Sequence, residues 1–277
     1  MQLAPLKKAI VTICPGGRQR KILNIVWPTW KVFSERFAIP LIVIERPVYP
    51  QHVFWGRYFV FEMPELNGFD AILHLDNDIF ISSKSSSPFD EWNPDLIGVV
   101  DERAQQSLDE VATRQYYHSY GIPDSGIPVA AKIYNTGLLL YSRTTAPYFK
   151  TLYARWQDFL QGINDVKKRH YLFTVIDQPH VSLALQRERI ACELHSRFNT
   201  LWWHWYRKNV SERYLPFLLR SKAAALMLDL LPPNLWRATF RRERRIFAVA
   251  RDQCDFLHVA GSKSPLFLAA HSDAPCR

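Results

Sequence analysis

The run Asp70-Ala71-Ile72-Leu73-His74-Leu75-Asp76-Asn77-Asp78-Ile79-Phe80-Ile81 decides how the chain is read. It has the pattern of a buried strand that meets two carboxylates and then resumes as an apolar run. Side chains alternate along a strand, so Ile72, His74, Asp76 and Asp78 are expected on one face, with Leu73, Leu75, Asn77 and Ile79 on the other. Two carboxylates so placed repel each other, and burial raises the cost unless a cation or hydrogen-bond donors compensate. A hard divalent ion such as Mg2+ or Mn2+ is the simplest compensator, because it takes carboxylate oxygens and commonly a substrate phosphate as well. A lone Asp-X-Asp is also found where a strand simply ends in a polar turn, with Asp76 capping the next segment. The company this one keeps along the chain favours the first reading.

The 277 residues are 48% hydrophobic and 14% aromatic, the composition of a globular chain with room for one large α/β domain or a domain plus an appendage. Cys14, Cys192, Cys254 and Cys276 are scattered and form no Cys-X-X-Cys pair, which argues against a zinc site and against a disulfide framework. Residues 1–8 lack the long apolar stretch of a signal peptide, and no apolar run reaches transmembrane length, so the expected compartment is the cytoplasm. The net charge of +9 is concentrated late: residues 201–251 carry 11 Lys/Arg against 3 Asp/Glu, whereas residues 1–200 carry 22 against 20. That late segment mixes apolar residues with Trp236, Arg237 and Arg241-Arg242-Glu243-Arg244-Arg245. It reads either as a surface helix on an anionic membrane, which would place the protein peripherally on an inner membrane face, or as a helical subdomain. In the second case its arginines are solvated, or receive an acidic acceptor or a partner chain. No recognised nucleic-acid motif accompanies the cluster, so nucleic acid is not an expected partner.

Lys8–Ile13 is short, β-branched and stopped by Pro15-Gly16-Gly17, as a buried parallel strand would be. A helix over 21–36 comes next, with Ile22, Ile25, Val26, Trp30 and Phe33 on its apolar stripe, and then a second strand over 37–45. A further helix over 54–66, carrying Trp55, Arg57 and Tyr58, is expected to lead into the two-acid strand. Strand–helix–strand–helix–strand implies a parallel sheet with ligands at the carboxyl ends of its strands, where Asp76 and Asp78 lie. The glycines after the first strand match neither a dinucleotide nor a P-loop fingerprint, and Arg18 and Arg20 there read as solvated. Beyond come a strand over 95–101, a punctuated loop with a short helix over 104–131, and a strand over 133–141. That last strand is entered through Asn135-Thr136-Gly137, whose glycine lets a ligand or another backbone come close. An amphipathic helix is expected over 145–162. Asp177 opens another helix, either as its N-cap or as a functional acid. Residues 193–205 return to short, strand-like structure. Near the end, His258-Val259-Ala260-Gly261-Ser262-Lys263 sets a histidine at a strand end. Beside a two-carboxylate site, His258 is a candidate third metal ligand and Lys263 a candidate phosphate partner.

Together, Leu75-Asp76-Asn77-Asp78, Tyr134-Asn135-Thr136-Gly137, Asp177-Gln178, Arg197-Phe198-Asn199 and the segment from His258 to Lys263 resemble the GT-A glycosyltransferases. The closest resemblance is to the retaining glycogenin and lipopolysaccharide glucosyl- and galactosyltransferase family, in islands over residues 8–265. The resemblance implies an α/β, Rossmann-like GT-A fold: a mixed, mostly parallel sheet flanked by helices, with a basic helical C-terminal segment. With the charge distribution, this divides the chain into a catalytic core over 1–200, a basic, apolar helical appendage over 201–251 that has no counterpart in the family, and a return to the core with a tail over 252–277. It implies metal-dependent transfer of a hexose, with retention, from a nucleotide-diphosphate sugar, with a UDP-sugar favoured, to a hydroxyl of a saccharide or glycolipid acceptor. By resemblance Asp76, Asp78 and His258 hold Mn2+ (or Mg2+). Thr12, Arg57, Asn77, Thr136, Gly137, Gly261 and Lys263 join the two acids around the donor, and Asn135, Asp177 and Gln178 form the catalytic set at the transferred sugar. Asn77 stands where the family often has Ala, and Ser264-Pro265-Leu266 stands where it usually has a second aromatic or Pro-Trp. Two other functions fit the residues. Nucleotidyl transfer also uses paired acids and a metal, but wants a glycine-rich basic signature near the first strand. A catalytically inactive, transferase-like scaffold is the other.

Overall fold

The computed structural model describes residues 5–49, 53–106, 108–167, 169, 177–202, 205 and 241–259. Gly261, Lys263 and most of the basic segment 201–251 lie outside the described residues.

The chain opens with β1 (Lys8–Ile13), α1 (Gly17–Phe37) and β2 (Leu41–Ile44). The expected helix over 54–66 is instead three short 3-10 turns, Val53–Tyr58, Val60–Glu62 and Pro64–Leu66. The cause is local. Pro64 has no N–H to give to the carbonyl of Val60, and Met63 before it is held in extended backbone at φ −83°, ψ 136°. β3 (Ala71–Leu75), buried at every position, stops at Leu75, and residues 76–78 turn before β4 (Ile79–Ile81) begins. Asp76 and Asp78 are therefore neighbours through a turn, not through the alternation of one continuous strand. There follow β5 (Ile97–Asp101), α2 (Arg103–Gln106), α3 (Glu110–Ser119), β6 (Tyr134–Ser142), α4 (Ala146–Gln161), α5 (Gln178–Arg187), β7 (Ala191–Glu193), β8 (Thr200–Leu201), α6 (Arg241–Gln253) and β9 (Phe256–His258).

By packing the chain divides into two compact units. The first comprises Met1–Pro15, Ile39–Asp76 and Ser87–Ser196. Its six-stranded sheet has the order β2-β1-β3-β6-β5-β7. β1 runs parallel to β2 and β3, β5 runs parallel to β7, and β6 is antiparallel to both β3 and β5. Parallel pairing predominates, and β1 and β3 are apolar on both faces, as strands of such sheets are. The amphipathic α4 buries Phe149, Leu152, Tyr153, Trp156 and Leu160. Its Phe149 meets Tyr58 at 4.6 Å between ring centroids, and its Trp156 meets Trp55 at 5.1 Å, so the 3-10 turns are fixed by aromatic packing. Between Gly98 and Val100 the β5–β6 register shifts, setting Val100 opposite Asn135. Only glycine fits at that shift, because a Cβ on Gly98 would stand 2.9 Å from Leu140 Cβ.

The second unit comprises Gly16–Ala38, Asn77–Ser86 and Arg197–Arg277. Its three-stranded sheet has the order β4-β9-β8, with β9 antiparallel to β4 and parallel to β8. The apolar stripe of α1 buries Leu23, Val26, Trp30 and Phe33. Trp30 donates its indole N–H to Ile79 O at 2.7 Å, and Phe33 meets Phe256 edge-on at 5.4 Å. From the basic segment, α6 buries Phe247 against Phe80 and Trp202. Among the described residues no helix is long and apolar enough to cross a membrane.

Candidate active site

The turn at 76–78 is pinned at both ends by backbone. Asp76 N–H donates to Gly137 O on β6 at 2.8 Å, and Asp78 O accepts from Val259 N–H at 3.1 Å, one residue past β9. The Asp78 carboxylate lies 3.2 Å from His258 Nε2. One oxygen of Asp76, one of Asp78 and one ring nitrogen of His258 all lie within 4.8 Å of one another, forming a group that could hold a metal ion. His258 is 4% exposed and sits on the central strand of its sheet, with Ile79 opposite on one side and Leu201 on the other.

The far side of that imidazole tests the fit to a cation. Nδ1 is 3.0 Å from Asn199 Oδ1, and an amide oxygen accepts, so the proton belongs on Nδ1. A neutral ring then turns an Nε2 lone pair towards a carboxylate oxygen. Two acceptors 3.2 Å apart call for a positive charge between them. Adjacent ligands of an octahedral ion with bonds of about 2.1 Å stand about 3 Å apart. Two carboxylates and an imidazole thus suit a divalent ion in chemistry, and the Asp78–His258 spacing matches that of adjacent ligands.

Arg57 organises a second cluster. Its Nη1 donates to Thr136 O at 2.6 Å and lies 3.3 Å from Asp76 Oδ1. Its Nε donates to Phe54 O at 3.0 Å and stands 3.8 Å from Asp177 Oδ2. Asp177 is 4% exposed and makes no side-chain cap on α5; its carboxylate accepts from the Tyr58 hydroxyl instead. Burial first, and then the Asp177 charge, push the Tyr58 hydroxyl well above its ordinary pKa, so it remains a donor. His74, two residues before Asp76, is buried, and its Nδ1 has no hydrogen-bond partner among the described residues. Burial and then the charge of Arg57 hold its pKa well below 6.5.

The Asn135–Gly137 segment of β6 is tied down around the same place. Asn135 accepts from Gly137 N–H at 2.8 Å through Oδ1 and donates through Nδ2 to the buried carboxylate of Glu102. Thr136 N–H donates to Gln178 Oε1 at 3.4 Å, and Gln178 Nε2 donates to the Tyr116 hydroxyl at 3.3 Å. Thr12 is 1% exposed, and its hydroxyl donates to Leu75 O at 2.8 Å, bracing the end of β3 just before the acids. Asn77 lies half-buried in the turn. Of the residues singled out from sequence, Arg57, Asp76, Thr136 and Asp177 meet directly, with Gly137, Asn135 and Gln178 joined to them by further hydrogen bonds. Asp78 and His258 meet each other. Gly261 and Lys263 lie outside the described residues. Glu102, Tyr58, Tyr116 and Asn199 join the site without a role expected from sequence. Asn199 belongs to the Arg197-Phe198-Asn199 motif, but Glu102 and the two tyrosines carry no signal short of the packing itself.

No family model matches this sequence, and no curated protein matches it. The fold is nevertheless the mixed α/β fold of glycosyltransferases of known structure. One is a glycosyltransferase involved in the glycosylation of the major capsid of PBCV-1, with a TM-score of 0.52 at 11% identity, covering 96% of this chain and 98% of that one. Another is the WbbM bifunctional glycosyltransferase in its apo form, with a TM-score of 0.53 at 11% identity, covering 99% of this chain. This chain spans 51% of that protein. At such identity the likeness is one of fold.

Proposed function

We propose that the chain is a metal-dependent glycosyltransferase of the retaining glycogenin and lipopolysaccharide-transferase kind. It would move a hexose from a nucleotide-diphosphate sugar, a UDP-sugar being favoured, to a hydroxyl of a saccharide or glycolipid acceptor. The observation that carries this is the Asp76–Asp78–His258 group on a fold shared with glycosyltransferases of known structure. Those three residues would hold Mn2+ (or Mg2+), with Asn77 between the acids. What such an ion supplies when bound is neutralisation of the charge that develops on the departing diphosphate. Arg57, 3.3 Å from Asp76 and 3.8 Å from Asp177, fixes the orientation of both carboxylates. Asn135, by binding Gly137 N–H, shapes the Thr136–Gly137 edge against which the sugar would lie. Asp177 and Gln178 offer an anion and an amide for its hydroxyls. Thr12 braces the strand end beneath them, while Gly261 and Lys263 are assigned to the diphosphate by resemblance. The bond from the anomeric carbon to the diphosphate oxygen breaks as the bond to the acceptor oxygen forms on the same face, and the acceptor hydroxyl's proton passes to the departing diphosphate oxygen. The segment 201–251 is proposed to touch an anionic membrane and so bring the enzyme to lipid-linked acceptors.

A thermal-shift screen of nucleotide sugars tests this without knowledge of the acceptor. A donor at a hundred times its Kd should stabilise by about 2.7 kcal/mol, which is about 5 °C in Tm for a chain of this size. The shift should need Mn2+ and vanish in Asp78→Ala. A shift that persists in chelator and in Asp78→Ala would overturn the metal assignment, and no shift with any donor would overturn the function. Release of pyrophosphate in place of a nucleoside diphosphate would point to nucleotidyl transfer.

A further inference from the structure

The geometry points to Asn199 as the residue that decides which face of His258 is offered to a metal ion, an inference that rests on the metal reading proposed for this site. Asn199 is fully buried and ends the 3-10 turn Ser196–Asn199 immediately before β8. β8 pairs in parallel with β9, with Thr200 opposite Leu257 and Leu201 opposite His258. The backbone pairing of these two strands therefore holds the Asn199 amide beside the imidazole, at 3.0 Å from Nδ1. The amide oxygen can only accept, so it selects the tautomer protonated at Nδ1. That leaves the Nε2 lone pair pointing at Asp78, 3.2 Å away. With the other tautomer, Nε2–H would donate to Asp78, and the carboxylate would be satisfied without an ion. Asn199 thus keeps the pair poised for a metal, and acts as a positioning residue without touching the ion.

The test measures Mn2+ binding to the full chain without donor or acceptor, from the free-ion signal in electron paramagnetic resonance. Wild type should bind and Asp78→Ala should not. Asn199→Leu, of similar shape but with no acceptor, should bind about 10- to 100-fold more weakly. Asn199→Asp, which restores the acceptor, should recover the affinity. Wild-type affinity in a folded Asn199→Leu overturns this inference and leaves the metal site standing, whereas no Mn2+ binding by the wild type overturns both. Should Asn199→Leu fail to fold, the tautomer itself decides. In long-range 1H–15N spectra of histidine-labelled wild type, the His258 signal is assigned by its loss in His258→Gln. It should show a proton on Nδ1 and none on Nε2; a proton on Nε2 overturns the inference.

Discussion

Replacing Tyr58 by Phe removes one oxygen and leaves the ring where it is, between Phe149 at 4.6 Å and Trp55 at 5.1 Å. What is lost is the hydrogen bond to Asp177, a carboxylate only 4% exposed, with too little contact with water to replace the donor. A hydrogen bond to a charged group is worth about 1.5–3 kcal/mol. A built-in control is Tyr141→Phe, because the Tyr141 hydroxyl donates to a neutral acceptor, Arg57 O, at 2.6 Å. That change should cost about 0.5–1.5 kcal/mol. With a urea slope near ~3 kcal/mol/M for a chain of this size, the midpoint should fall by about 0.5–1 M for Tyr58→Phe and by about half that for Tyr141→Phe. Tryptophan fluorescence is the natural probe, since Trp55 touches Tyr58 directly. If Tyr58→Phe costs no more than Tyr141→Phe, then Asp177 does not depend on the tyrosine, and the view of Tyr58 as the donor that fixes it is wrong.

Acid should destabilise the fold through two histidines, the buried His74 and the half-buried His180. Burial, and then Arg187, hold His180 down to about 4, and burial holds His74 well below 6.5, so both stay neutral in the folded chain while the unfolded chain takes up protons below about 6.5. Stability should then fall as the pH drops from about 6.5 towards 4, by about 1.4 kcal/mol per pH unit and about 3 kcal/mol in all for His180; a His180→Phe variant should show a shallower fall in urea midpoint. Gly98→Ala forces a Cβ to within 2.9 Å of Leu140 and should cost about 1–3 kcal/mol, read as a lower Tm, and unchanged stability would show that the β5–β6 shift absorbs it. If 201–251 lies on membranes, the protein should float with vesicles containing anionic lipid and sink with neutral ones, and salt should release it.

What could be read in the sequence was whatever depends on runs and spacing. β1, β3 and β5 are largely apolar runs, β6 holds one over residues 138–141, and the stripe of α4 repeats at helical intervals, so burial and periodicity agree there; on α1 Val26, Trp30 and Phe33 are buried as expected, with Leu23 buried where Ile22 and Ile25 are only half-buried. The acids and the late histidine were visible as a pattern. The helix expected over 54–66 failed on one dipeptide, because Met63-Pro64 interrupts an otherwise helical apolar rhythm. The expected strand alternation through Asp76 and Asp78 failed for a different reason. The chain leaves one sheet at Leu75 and enters another at Ile79, and a change of sheet has no periodicity to announce it. Glu102 and Tyr58 were out of reach, and Asn199 was visible only as part of the Arg197-Phe198-Asn199 motif and not as a neighbour of His258, because contacts between distant strands and turns give them their neighbours. Glu102 meets Asn135 across the shifted β5–β6 ladder, and Asn199 meets His258 through the β8–β9 pairing.

Formal charge explains why a divalent ion suits this site better than a single proton. Arg57 stands between Asp76 and Asp177, one positive charge against two negative ones, which leaves one negative charge over among these three residues. Asp78 with a neutral His258 carries another. A proton on His258 would balance Asp78 alone and leave the Asp76 side as it was. An ion of charge +2, reached by one oxygen from each acid and by Nε2, balances both at once and removes the facing lone pairs of Asp78 and His258. It follows that a monovalent substitute for the metal should be inadequate. Substituting Asp76 or Asp78 by Asn should each halve the charge available to the ion and weaken Mn2+ binding. Arg57→Lys, which keeps the charge but cannot donate simultaneously to Thr136 O and reach both carboxylates, should disturb the position of Asp177 more than it disturbs the ion.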